Sequence, residues 1–209
     1  MACVVCIILF IHFTNNLLEG NLTWFDEEAT QYLFSKRSDD LTIFMTFITN
    51  MGSVTAYLIW LPVIFMVVYL CNHRWSHSIE AIVILLSAFF LNLSLKAYYG
   101  RLRPDKKHHL VELTEGSLSY PSGHTMTAMA FYGFVIYLLF HLSIKKTYSI
   151  IMSVVFATLI FFIGISRIYL GAHYPTDVIA GFVAGFIWLM ISVSILRYFQ
   201  YRKTKRAIS

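Results

Sequence analysis

Three short stretches of the chain, at positions 96–104, 121–124 and 166–177, contain residue types that handle phosphate. They read Lys-Ala-Tyr-Tyr-Gly-Arg-Leu-Arg-Pro, Pro-Ser-Gly-His and Ser-Arg-Ile-Tyr-Leu-Gly-Ala-His-Tyr-Pro-Thr-Asp. Phosphoryl transfer needs positive charge near the equatorial oxygens, an in-line nucleophile and an acid for the leaving oxygen. Each stretch lies at the edge of an apolar run, where charged side chains are costly and commonly functional. The combination predicts chemistry on a phosphate at a membrane surface.

Three cations in these stretches are candidates for holding the phosphoryl oxygens. They are Lys96, Arg103 and Arg167. Arginine adds a planar fork that can bond two oxygens at once. A single arginine at the end of a membrane helix need not bind phosphate, because such a side chain commonly extends its charge to the membrane interface.

A helix N-terminus is expected at the second stretch. Pro121 and Pro175 each suit the first turn of a helix, where a missing N–H costs nothing. Ser122 and Gly123 then lie at the start of an apolar span. Their backbone N–H groups and the helix dipole favour an anion there, and Gly123 allows close approach of the backbone.

Two histidines and one aspartate supply the proton chemistry and the nucleophile. His173 and Asp177 are four residues apart at the start of another span. A carboxylate at that spacing can hold one ring nitrogen and leave the other as a nucleophile. His124 is then the natural general acid. A lone histidine at a helix end is usually structural, so the prediction depends on the ordered combination.

The composition predicts an integral membrane protein. Of the 209 residues, 58% are hydrophobic and 13% are charged, whereas soluble domains have about 25% charged residues. No polar linker divides the chain, so residues 1–209 are expected to form one domain with a motif core at 96–177. The net charge of +5 favours anionic lipid as a partner. Nucleic acid is not expected, because the cations lie in short loops between apolar spans.

Apolar runs of roughly 20 residues mark membrane spans, and six are predicted. They cover about 2–18, 54–71, 79–99, 123–142, 148–169 and 177–197. The fold class is therefore an all-α bundle of six transmembrane helices. The intervening segment 21–53 is too polar to span and mixes aromatic with charged residues, as in an interfacial amphipathic helix. A solvated connector with a few anchoring aromatics is the open alternative.

Alternating spans bring all three phosphate-handling stretches to one membrane face. The positive charges do not decide which face this is, because eight fall on each side. Setting aside Lys96, Arg103 and Arg167, which have a local role, leaves eight against five. That count places both termini and the basic tail 198–209 in the cytoplasm, and the site on the extracytoplasmic face of the cell membrane.

The motifs Lys-x6-Arg-Pro, Pro-Ser-Gly-His and Ser-Arg-x5-His-x3-Asp resemble the three signatures of the type 2 phosphatidic acid phosphatase (PAP2) superfamily. Every motif position matches, in order, between Lys96 and Asp177. The resemblance implies a metal-independent phosphatase with a phosphohistidine intermediate and no cofactor. It implies His173 as nucleophile, Asp177 as its orienting partner and His124 as general acid and base. The phosphate ligands would be Lys96, Arg103, Ser122, Gly123 and Arg167.

Several alternatives remain open at the level of sequence. The substrate could be phosphatidylglycerophosphate, phosphatidic acid or undecaprenyl diphosphate, because the motif residues meet only the phosphate. The superfamily also contains vanadium-dependent haloperoxidases, although the apolar spans argue against that activity. A transporter or lipid-binding protein with an anion site would need the cations but gain little from the two histidines and the aspartate. No metal ligand set and no oligomer are predicted.

Overall fold

Eight α-helices and one 3₁₀ helix make up the described part of the chain, residues 2–72, 76–112, 117–142 and 144–208 of a computed structural model. The α-helices are α1 (Ala2–Leu18), α2 (Thr23–Ser35), α3 (Asp39–Asn50), α4 (Val54–Asn72), α5 (Ser76–Tyr99), α6 (Gly123–Leu139), α7 (Lys146–Tyr169) and α8 (Pro175–Ile208). The 3₁₀ helix is Lys106–His108. The all-α prediction is confirmed.

Helix α6 lies at the centre of the bundle and packs against α5, α7 and α8. Its residues are buried around most of its circumference, Phe131 and Phe134 with no exposed surface, as expected of an apolar helix surrounded by others. A Cβ on Gly185 of α8 would lie 2.5 Å from the carbonyl oxygen of Met126. The Gly181-x3-Gly185 pattern therefore serves internal helix packing, which allows the backbones of α6 and α8 to approach closely.

Three described helical segments are long and apolar enough to cross a membrane. They are His77–Tyr99, Lys146–Tyr169 and Pro175–Arg202, and the number rises to five if each of two bent helix pairs forms one span. Helix α6 is apolar but has only 17 residues. The helices coincide with the six predicted apolar runs, while the count of six spans stays a prediction. Helix α8 continues through the predicted basic tail to Ile208.

The predicted interfacial segment forms two helices, α2 and α3, instead of one. Helix α2 is bent by 87° from α1, and α3 by 58° from α4. Bends of this size separate α2 and α3 from the directions of α1 and α4, while the interfacial position of the segment stays a prediction. The break comes at Ser38, whose side chain accepts a hydrogen bond from the backbone N–H of Leu41 and so caps α3.

Four helix ends that carry the predicted site meet at one end of the bundle. The C-terminus of α5 lies against the loop before α6, because Lys96 Nζ donates to the carbonyl oxygen of Leu118 at 2.5 Å. The loop before α6 in turn contacts α8, since the Ser122 N–H donates to the Asp177 carbonyl oxygen at 2.9 Å. The C-terminus of α7 leads directly into α8. Arg74, one of the eight positive charges counted on the cytoplasmic side, lies outside the described residues.

Candidate active site

A cavity of about 450 Å³ connects this end of the bundle with the space between α4 and α5. Six predicted site residues line one end of it, namely Lys96, Arg103, Gly123, His124, Arg167 and His173. The rest of its wall is mostly aliphatic and aromatic and includes Leu58, Leu61, Leu85, Leu86 and Phe89. One cavity therefore joins a cationic, histidine-containing end to an apolar channel.

His173 is oriented by polar groups on both ring nitrogens. Its Nε2 lies 3.2 Å from Arg103 Nη1, and its Nδ1 lies 3.2 Å from Ser119 Oγ. Because a guanidinium only donates hydrogen bonds, Nε2 must present a lone pair, and the proton of the neutral ring lies on Nδ1. Burial, followed by the positive charges of Arg103 and Arg167, holds the pKa of His173 well below its usual value. The ring is therefore neutral, with its lone pair at Nε2 directed toward Arg103.

Asp177 reaches His173 mainly through Ser119, a residue outside the predicted set. The closest approach of His173 Nδ1 to Asp177 Oδ2 is 3.5 Å, longer than an ordinary N–H···O hydrogen bond. The Ser119 hydroxyl donates to Asp177 Oδ2 in a very short hydrogen bond, and it can accept the Nδ1 proton of His173. The predicted direct contact between carboxylate and ring is therefore replaced by a relay. Nothing in the spacing of the motifs pointed to Ser119.

The three predicted cations surround the polar end of the cavity from different elements. Lys96 comes from the last turn of α5 and Arg167 from the last turn of α7. Arg167 is held by Thr49 of α3, whose hydroxyl accepts from Nη1 at 2.8 Å. Arg103 donates to the Ala172 carbonyl oxygen at 2.8 Å. Sequence reasoning missed Thr49, which has no motif around it.

Two guanidinium nitrogens at this site are buried without a hydrogen-bond partner. They are Arg103 Nε and Arg167 Nε, two of five such side-chain atoms within the described part of the chain. A buried donor without a partner costs about 1–3 kcal/mol. An anion in the cavity can supply acceptors for both nitrogens, so the arrangement suits a phosphate group. Burial, which disfavours the charged form, also lowers the pKa of Arg103.

The second motif forms the start of α6, with differences from the predicted details. Ser122 is the N-cap, so Pro121 precedes the helix and does not occupy its first turn. The Ser122 N–H is not free, because it donates to the Asp177 carbonyl oxygen. Its hydroxyl accepts from Thr125 at 2.9 Å. Gly123 opens the helix and lines the cavity, so the available backbone donors start there.

Pro175 is the first residue of α8, as predicted, and Asp177 lies in the first turn. The carboxylate of Asp177 is fully buried and accepts the Tyr174 N–H at 2.9 Å. Its other oxygen accepts from Arg101 at 2.6 Å. Arg101 lies inside the first motif, between its two predicted phosphate ligands, and sequence reasoning treated it only as loop charge.

Comparisons with known proteins find a matching family model and relatives that are named as lipid phosphatases. A family model described as the PAP2 superfamily matches residues 77–201. Phosphatidylglycerophosphatase B of Bacillus subtilis is 29% identical over 163 residues, 78% of each chain. A lipid A 1-phosphatase of Rhizobium johnstonii is 31% identical over 129 residues, 58% of this chain and 48% of that protein.

A solved structure has the same fold over nearly the whole chain. It is the crystal structure of a transmembrane PAP2 type phosphatidylglycerolphosphate phosphatase from Bacillus subtilis, with a TM-score of 0.85 and 26% sequence identity. The likeness covers 94% of this chain and 96% of that one. The matched region contains all three phosphate-handling motifs and the helices that present them. The chain belongs to the PAP2 superfamily.

Proposed function

We propose that the protein hydrolyses the phosphate group of a membrane lipid through a covalent phosphohistidine. The single observation that carries this proposal is the cavity, which joins three cations and two histidines to an apolar channel between α4 and α5. A free phosphate ester would need only the polar end. The apolar walls suit a substrate whose tail stays among the helices while its phosphate reaches the histidines. The relatives are phosphatases by name, which favours hydrolysis over the haloperoxidase and transport alternatives.

In the first step, His173 Nε2 attacks the phosphorus and the bond to the leaving oxygen breaks. His124, protonated once the negative charge of the substrate phosphate lies beside it, donates that proton to the leaving oxygen, so the lipid alcohol or phosphate leaves in a protonated form. Lys96, Arg103 and Arg167 balance the charge on the phosphoryl oxygens. The contact between Arg103 and Nε2 at 3.2 Å supports this placement, because it puts the cation beside the attacking atom.

In the second step, water attacks the phosphorus and the bond to Nε2 breaks. His124, now neutral, takes the proton of that water. The first step makes His173 cationic, with a proton on Nδ1 and the phosphoryl group on Nε2. Ser119 and Asp177 stabilise this charge through the relay on Nδ1. Gly123 contributes its backbone N–H at the start of α6. Ser122, expected from the motif to bind the phosphate as well, instead bonds the Asp177 carbonyl oxygen through its N–H and supports the site from behind.

Phosphatidylglycerophosphate is the first substrate to assay. The curated relative and the solved structure from Bacillus subtilis are both named for this phosphatase activity, and they match most of the chain at 29% and 26% identity. Phosphatidic acid and undecaprenyl diphosphate share the chemistry of a phosphate on an apolar tail, and they belong in the same panel. The reaction is proposed to need no metal ion.

We place the site on the extracytoplasmic face and both termini in the cytoplasm. The basic end of α8, with Arg197, Arg202 and Lys205, supports this orientation by the positive-inside rule. In intact cells an impermeant thiol reagent should label a cysteine introduced at Thr23, and it should label one introduced at Lys205 only after the membrane is permeabilised. Labelling of Lys205→Cys from outside would reverse the orientation.

Phosphate release from purified lipids in detergent tests the catalytic proposal. His173→Ala should lose at least about 10³-fold in kcat, because the nucleophile is gone. His141→Ala is the matched control, since His141 is exposed in the turn after α6 and hydrogen-bonds the Tyr137 carbonyl oxygen of that helix. Activity close to wild type in His173→Ala would exclude the phosphohistidine. Activity that vanishes with EDTA and returns with Mg²⁺ would exclude a metal-independent reaction.

A further inference from the structure

The guanidinium of Arg101 binds protein groups rather than the cavity. Its Nη1 donates to Asp177 Oδ1 at 2.6 Å and to Thr176 Oγ1 at 2.8 Å. Its Nη2 donates to Asp26 Oδ2 at 2.7 Å, and its Cζ lies 4.3 Å from the ring centroid of Tyr174. The residues that line the cavity do not include it. Arg101 is therefore a structural cation beside the site, unlike the arginines whose buried Nε atoms are unpartnered.

Asp26 connects the interfacial helix α2 to the first turn of α8. Its side chain is almost completely buried. Oδ1 accepts the Thr176 N–H at 2.9 Å, and Oδ2 accepts the Thr176 hydroxyl at 2.7 Å. A carboxylate at a helix N-terminus satisfies free N–H groups and complements the helix dipole. Asp26 thus caps the helix that carries Asp177, from 150 residues away along the chain.

Arg101 provides a positive charge between two buried carboxylates. Burial lowers the pKa of Arg101, but Asp177 and Asp26 outweigh that effect and the pKa is raised above its ordinary value. Arg101 therefore stays charged at every pH at which the protein works. Without it both carboxylates would lose the cation that they contact directly, which is costly in a buried site. The fork of arginine also fixes their geometry, since each terminal nitrogen binds one carboxylate.

We propose that Asp26 and Arg101 are positioning residues for the nucleophile His173. Asp26 orients Arg101, Arg101 fixes the carboxylate of Asp177, and Asp177 acts on the imidazole through Ser119. The interfacial helix α2 is thereby coupled to the reacting ring. This inference rests on the proposed function, because it assumes that His173 Nε2 is the attacking atom.

Steady-state phosphate release from the panel lipid that the wild type turns over best gives kcat and KM for each variant. Arg101→Met should lower kcat by about 10- to 100-fold, the usual effect of removing a partner that orients a reacting group. KM should stay within about twofold, because Arg101 is not among the residues that line the cavity. Arg101→Lys should recover part of the kcat, since it restores the charge without the fork.

Asp26→Asn keeps an acceptor for the Thr176 N–H and removes the charge that orients Arg101. It should lower kcat by about 3- to 10-fold. If Arg101→Met does not fold, Asp26→Asn still tests the proposal. The matched controls are Glu27→Gln on the exposed side of the same helix and Lys36→Met, an exposed cation beyond its end. Both should keep the kcat and KM of the wild type.

A double-mutant comparison separates positioning from general damage. In an Asp177→Asn background, Arg101→Met should cost less than about threefold in kcat, because the relay is already broken. A full loss in that background would overturn the proposal, as would a raised KM with unchanged kcat. If His173→Ala is inactive while Arg101→Met and Asp26→Asn keep the wild-type kcat, only this inference fails. If the wild type releases no phosphate from any lipid, the proposed function fails and this inference with it.

Discussion

Replacing Ser119 with alanine removes the hydroxyl that lies between His173 and the carboxylate of Asp177. The two remaining groups are 3.5 Å apart at Nδ1 and Oδ2, beyond the limit of about 3.2 Å for an N–H···O hydrogen bond. The carboxylate cannot take over the contact without movement. It stays tied to Arg101 at 2.6 Å and to the Tyr174 N–H at 2.9 Å. The substitution therefore isolates the relay from the rest of the site.

The expected cost follows from the kind of hydrogen bond that is lost. A hydrogen bond to a charged group contributes about 1.5–3 kcal/mol, and about 1.4 kcal/mol corresponds to tenfold in rate. In the proposed mechanism a charge develops on His173 when Nε2 attacks, so the loss is expected in the transition state. Ser119→Ala should therefore lower kcat by about 10- to 150-fold. KM should change little, because Ser119 does not line the cavity.

Steady-state phosphate release from phosphatidylglycerophosphate in detergent gives both constants. Ser117→Ala is a matched control in the same loop, because its hydroxyl is buried without a partner in the described part of the chain. That control should keep the wild-type kcat. A kcat for Ser119→Ala within about twofold of wild type would refute the relay. A rise in KM alone would instead assign Ser119 to substrate binding.

Three further predictions concern the pH profile, the apolar channel and a tight turn. Arg103→Met should move the acid limb of the kcat/KM profile to higher pH. The positive charge of Arg103 lowers the pKa of His173, so its loss raises that pKa, and in the proposed mechanism only the neutral ring attacks. An acid limb at the same pH as in the wild type would contradict this. Leu61→Trp should raise KM about tenfold for long-chain substrates and leave short-chain ones unaffected, since it fills the apolar channel; equal effects on both chain lengths would argue against that tail site. Gly171→Ala should lower the free energy of unfolding by about 1–3 kcal/mol, because the added Cβ would overlap the carbonyl oxygen of His108. Thermal unfolding measures this. Gly100→Ala is its control, with a φ of +63° but no atom within 4 Å of the added Cβ, and an equal loss in both variants would show that backbone strain alone decides.

Much of the helix layout could be predicted because hydropathy is a local property. The apolar runs predicted α1 and α4 to α8 closely, and the alternation of the spans predicted which of their ends lie on the same face. The same reasoning treated residues 21–53 as one interfacial element, whereas the chain breaks it at Ser38 into α2 and α3. Capping of α3 by the Ser38 side chain decides that break.

The site was predicted to the level of residue type, and its connections were not. Lys96, Arg103, His124, Arg167 and His173 line one cavity, as the motifs led us to expect. A motif does not report which side chain an arginine nitrogen faces, or what lies between a histidine and an aspartate. Those are contacts between residues far apart in the chain.

The sequence by itself determined that this is a membrane protein of helices, with a phosphate-handling site at the ends of four of them. Apolar runs and residue types at fixed spacing are sufficient for that, because both act through local structure. Only the tertiary structure decided that Ser119 lies between His173 and Asp177. It also decided that Asp26 and Arg101 hold the first turn of α8. Burial brings these groups together from separate parts of the chain, and most buried polar groups in proteins are hydrogen-bonded to whichever partner the packing of the bundle places beside them.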